Sequence, residues 1–110
     1  MLRQQPADQL IEELIRAQVT QDISATIEYL LDYLTSVWQD IPWVAKQWPN
    51  WDWTDKEVFT VEWGLKEERL EELEGYAKLG TLTRPQCERY EALRRLIAAN
   101  RPSLDRLLNE

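Results

Sequence analysis

Residues 53–63 read "WTDKEVFTVEW", and whether they form a helix or a strand decides the fold class. Thr54 followed three residues later by Glu57 is a capping box, in which each side chain satisfies the other's unpaired backbone N–H. Trp53 and Val58 flank the box at the two positions of a hydrophobic staple. The same residues also alternate and are rich in β-branched and aromatic side chains, so a short strand over 57–63 is the rival reading. No obvious partner strand lies nearby, and a lone strand has nothing to pair with. The spacing therefore predicts a helix from about residue 55.

Working outward, "LKEERLEELEGYAKL" (65–79) continues that helix, with Leu65, Leu70, Leu73, Ala77 and Leu79 as its buried side. Gly80 is placed to end it in the left-handed conformation. Thr83 and Gln86 then repeat the capping-box spacing, with Leu82 and Cys87 as a staple, and open a second helix over about 84–99. Asn100 and Pro102 are expected to stop it, leaving Leu104, Leu107 and Leu108 for a final short turn. Two helices joined by so short a link lie antiparallel. Folding the hairpin about its turn sets Glu67 and Glu68 against Arg95 and Arg94, and Glu74 against Glu88.

Upstream, the apolar residues fall into two stripes. Leu10, Ile11, Leu14 and Ile15 share one face of a helical wheel. Ile23, Ile27, Leu30, Leu31, Leu34, Val37 and Trp38 share another, about 170° away. Either the helix breaks near "QVTQD" (18–22), with Thr20 or Asp22 as a cap, or one long helix serves two partners. The break is the expectation, giving helices at about 7–18 and 21–40. Pro42 suits the first turn of a short helix, and Pro49 blocks its extension. The fold class is thus all-α: a single helical domain over 1–110, with the C-terminal hairpin packed against the N-terminal helices. Only three glycines and five prolines punctuate the chain, which agrees with long helices.

The chain carries a net charge of −7, unevenly distributed. Residues 1–83 hold 7 basic and 16 acidic side chains, whereas residues 84–110 hold 6 arginines and 4 acids. Such an acidic chain is repelled by phosphate backbones, so direct nucleic-acid binding is disfavoured. No charge-free run approaches a membrane span, and no secretory signal follows the first residues. The single cysteine excludes an internal disulfide, and a cytoplasmic setting is the expectation. Cys87, as the staple partner of Leu82, is expected to be a buried structural thiol rather than a reactive one.

The absence of histidine removes the usual general base, the commonest metal ligand and every Ser–His or Cys–His pair. One cysteine cannot build a thiolate zinc site, and the glycines are too scattered to cradle a phosphate. Adjacent acids such as Glu12–Glu13, Glu67–Glu68 and Glu71–Glu72 point about 100° apart on a helix and read as solvated faces. Neither catalysis, a cofactor nor a metal is expected.

All six tryptophans lie between Trp38 and Trp63. Trp38 continues the second stripe, Trp48 shares a face with Val44, Trp53 is a staple and Trp63 stands between Phe59 and Leu70. Those four have inward roles. Trp43 and Trp51 do not, and large exposed aromatics are enriched at protein interfaces. They are the candidate partner-binding residues. The expected function is that of a small accessory or regulatory protein acting through protein–protein contact, with self-association through the N-terminal helices. The alternative is an acidic inhibitor occupying a nucleic-acid-binding site on a partner. Stacking on sugar rings is disfavoured, since Asn50, Asp52 and Asn100 could assist it but nothing requires it. Stacking on single-stranded bases is disfavoured because only Lys46 and Lys56 stand against several acids there.

Overall fold

Ile27, Leu31, Leu34 and Trp38 recur along one helical face, and all four side chains are buried. In the computed structural model, which describes residues 7–110, they belong to a single helix, α1 (Ala7–Gln39). The helix runs through residues 18–22 without the expected break. No Gly or Pro interrupts that segment, and Thr20 and Thr26 spend their hydroxyls on the carbonyls of Arg16 and Asp22 rather than on a cap.

The chain then turns at Asp40 into α2 (Ile41–Gln47) and a 3₁₀ turn (Trp48–Asn50), and Trp51 ends the turn with extended backbone. Next come α3 (Trp53–Lys78) and α4 (Arg84–Leu108). The described residues contain no strand, so the helical reading of 57–63 holds. Its cap is displaced, however. Asp52, not Thr54, adopts extended backbone, and its carboxylate accepts the Asp55 N–H at 2.8 Å. The Trp53–Val58 staple fails with it, for both side chains are exposed.

Gly80 takes φ +73°, and the N–H groups of Gly80 and Thr81 donate to the carbonyls of Ala77 and Tyr76. That pair of bonds closes α3 as a Schellman turn, with the one residue type that adopts positive φ without strain at the turn. The Thr83–Gln86 capping box forms as read. Its staple does not, because Cys87 is exposed and only Leu82 reaches the core. Helix α4 also passes Asn100 and Pro102. The proline removes one backbone bond on an exposed side, while the turns beyond it bury Leu104 completely and pack Leu108 on the core. Tertiary burial outweighs the local stop signal.

Helix α1 is the spine, with α3 and α4 packed against it and the end of α4 packed against α2. The core combines Ile27, Leu30, Leu31, Leu34, Trp38 and Ile41 with Trp63, Leu70 and Leu73 of α3 and Leu93 and Leu104 of α4. The expected pairing of Glu67 and Glu68 with Arg95 and Arg94 is not the one formed. Glu67 pairs with Arg101, because the Arg101 guanidinium is fixed over the Trp38 ring, 4.8 Å from its centroid. Arg94 bonds Glu91 of its own helix.

Every residue from 8 to 22 is exposed. This half of α1 projects beyond the body, and the molecule measures 78 × 27 × 17 Å with a radius of gyration of 20.1 Å. A compact chain of this length would give about 13 Å. Among the described residues no helix is long and apolar enough to cross a membrane.

Candidate protein-binding surface

The short α2 helix can bury one side only, and it buries Ile41 and Val44. Trp43 therefore turns outward and is 58% exposed. It is not isolated. Its ring meets Trp51 edge-on, with centroids 6.3 Å apart, and Trp51 is half-buried against Trp48 at 5.7 Å and Phe59 at 5.9 Å. Trp48 is fixed in turn by its indole N–H, which donates to the Glu110 carboxylate, and by Lys56 lying 5.5 Å over its ring. Phe59 stacks on Trp63 at 5.6 Å, and Trp63 packs edge-to-face on Trp38 at 5.1 Å. An aromatic chain thus runs from the core to the surface and ends at Trp43.

The two candidate residues, Trp43 and Trp51, are brought together. Trp38, Trp48 and Trp63 are buried as expected, whereas Trp53 is 76% exposed because the cap sits at Asp52. Trp51 also forms an open cleft of about 380 Å³ with Asp55, Val58, Phe59 and Glu62. From that cleft an apolar stripe continues along α3 through Val58, Val61 and Leu65, at spacings i, i+3 and i+7, all exposed. The stripe stands about 140° round the helix from Phe59, Trp63 and Leu70. Leu65, read as buried, belongs to this outer side.

Sequence reasoning missed the stripe, although its signal lay in the opening segment. "EVFTVEW" alternates because a helix with apolar residues on two sides can imitate a strand. Phe59 and Trp63 face the core, and Val58 and Val61 face away from it. The flanks of the stripe carry Asp55, Glu57, Glu62 and Glu68, so its surroundings are acidic. Lys56 and Lys66 face the rings of Trp48 and Trp63 instead.

A second cleft, of about 330 Å³, separates α3 from α4, with Leu70, Glu74, Tyr90, Arg94, Ile97 and Arg101 among its lining residues. Burial and the nearby Glu74 carboxylate raise the Tyr90 hydroxyl above its ordinary pKa, against an opposing effect of Arg94. Among the described residues no three His, Cys, Asp or Glu side chains gather as a metal-ligand set. No protein family, curated protein or solved structure matches the chain.

Proposed function

We propose that this chain is a small non-enzymatic protein-binding module, working as an accessory or regulatory subunit, with its docking surface at Trp43 and Trp51. The observation that carries the reading is the support behind Trp43. An exposed indole braced on Trp51, which is itself held by Trp48 and Phe59, is a rigid anchor, and rigid aromatic anchors lose little conformational entropy on binding. The absence of histidine supports binding over catalysis.

The test is capture of the native partner from the source cell, with wild type and Trp43→Ala compared at matched folded concentration. Loss of one specific partner with an unchanged melting temperature supports the docking role. An identical set of captured proteins would overturn it.

A specific observation also favours self-association through α1. Leu10, Ile11, Leu14, Ile15 and Val19 are all exposed on the projecting half of α1, and contiguous apolar side chains left in water mark interaction surfaces. A second copy lying along this arm would cover those side chains. Sedimentation of wild type against Leu14→Glu tests it, and a wild-type protein that stays monomeric at high concentration would remove this second role.

A further inference from the structure

We infer that the stripe from Trp43 along α3 takes a basic amphipathic helix of another protein, a specification that rests on the docking role proposed above. Three observations converge on that occupant. The first is shape. Val58, Val61 and Leu65 form a straight ridge about 10 Å long on one helix, extended at one end by Trp51 and Trp43. Apolar ridges at this spacing match the i, i+3, i+4, i+7 anchors of a second helix laid alongside.

The second is depth. The cleft between Trp51 and Val58, floored by Phe59, is open and about 380 Å³, large enough to receive one bulky apolar side chain from the partner. The third is charge. Asp55, Glu57, Glu62 and Glu68 border the ridge, and the nearby lysines are engaged with the Trp48 and Trp63 rings. A helix with lysine or arginine beside its apolar face meets four carboxylates, while an acidic one is repelled. The same carboxylates disfavour the chain's own acidic α1 arm, anionic lipid and nucleic acid as occupants.

The experiment uses three fluorescein-labelled 18-residue peptides and the full-length protein. One peptide has leucines at i, i+3, i+4 and i+7 with lysine and arginine flanks. The second has the same leucines with glutamate flanks, and the third scrambles the order of the first. Anisotropy titrations are run on wild type, Val61→Asp, Glu62→Lys and Trp43→Ala. Val61 and Glu62 are exposed, so these variants should fold, and circular dichroism checks that they do.

The basic amphipathic peptide should bind wild type best. Val61→Asp should weaken it about 30-fold, the loss expected for an interface hot spot. Glu62→Lys should shift preference towards the acidic peptide. If the scrambled basic peptide binds as well as the ordered one, the contact is only electrostatic and the helix inference is overturned. If both amphipathic peptides bind equally, and Trp43→Ala weakens both, the aromatic docking surface stands while its basic specificity falls. If no peptide binds, the inference is overturned whatever native partner Trp43 captures.

Discussion

The Arg101 guanidinium of α4 lies 4.8 Å over the Trp38 ring of α1, and from there it holds the Glu67 carboxylate of α3. Glu67 also accepts the Trp63 indole N–H at 2.9 Å. One arginine therefore ties three helices, with a planar cation stacked on a ring and its edge engaged with a carboxylate. Arg101→Met should lower stability by about 1–3 kcal/mol, chiefly by leaving a half-buried carboxylate without its main partner. Arg101→Lys should recover only part of that loss, because an ammonium cannot stack and bridge in the same geometry. Urea melts at neutral pH check both.

The same contact sets a pH dependence. Burial pushes the Glu67 carboxyl up, but the hydrogen bonds from Arg101 and Trp63 and the charge of Arg101 outweigh it and hold it below its ordinary value. The folded state then binds the proton less readily than the unfolded chain. This contribution is fully present above the ordinary carboxylate pKa and is lost as pH falls through the lower folded value. Wild type should lose stability over that acidic window. Glu67→Gln, weaker at pH 7, should lose less, and parallel urea midpoints for the two proteins at pH 7 and pH 3 would contradict this.

At the start of α3 the cap can be assigned by mutation. Asp52→Ala should cost about 1 kcal/mol, because it removes the acceptor of the Asp55 N–H. Thr54→Ala, on the exposed first turn, should change stability by less than about 0.5 kcal/mol. The two cap sites differ in how far sequence could resolve them. At Thr83 both halves of the box are encoded three residues apart, with Pro85 helping to fix the start, and the box forms as read. At 52–57 two acceptors compete two residues apart. Their choice depends on where Trp51 leaves the aromatic cluster, which is a tertiary fact.

Range in sequence explains the other differences as well. The core stripe from Ile23 to Trp38 was legible because seven apolar residues repeat with one phase. The continuity of α1 was not, since a change of apolar face looks the same whether the helix breaks or merely changes partner. Pro102 is a strong local stop, yet it is overruled by Leu104, whose burial depends on α1 and α2. Trp43 was found by exclusion from a seven-residue helix. The Val58–Val61–Leu65 ridge was hidden by its own double-sided pattern.

The tryptophans should separate by burial. Trp38→Ala should cost about 3–5 kcal/mol, as expected for a large buried aromatic. Trp43→Ala should leave the melting temperature nearly unchanged, because its ring is mostly in water. Trp51→Ala should fall between them, since its half-buried ring contacts Trp48 and Phe59. Acrylamide quenching of single-Trp variants should rank accessibility Trp43, then Trp51, then Trp38. Equal shielding of Trp43 and Trp38 would contradict an exposed anchor.

Gln86 gives the sharpest test of how α4 is seated on α1. It is buried, and every polar atom of its side chain is used. Its Oε1 accepts the Thr83 N–H at 2.9 Å, while its Nε2 donates to Ser24 Oγ at 3.2 Å and Glu28 Oε1 at 3.0 Å. The residue is thus both half of a capping box and a cross-helix donor. Gln86→Leu deletes both roles and should cost about 1–3 kcal/mol. Gln86→Glu keeps the acceptor for the cap but turns the donor into a carboxylate facing Glu28. Arg89, paired with Glu28 and Asp32, offsets only part of that repulsion. At pH 7 Gln86→Glu should therefore destabilise the fold. Adding Glu28→Gln should restore most of the loss, because the new amide supplies the missing donor. A double-mutant cycle by urea denaturation measures the coupling. Additive losses in that cycle would show that Gln86 acts as a cap alone, without orienting α1 against α4.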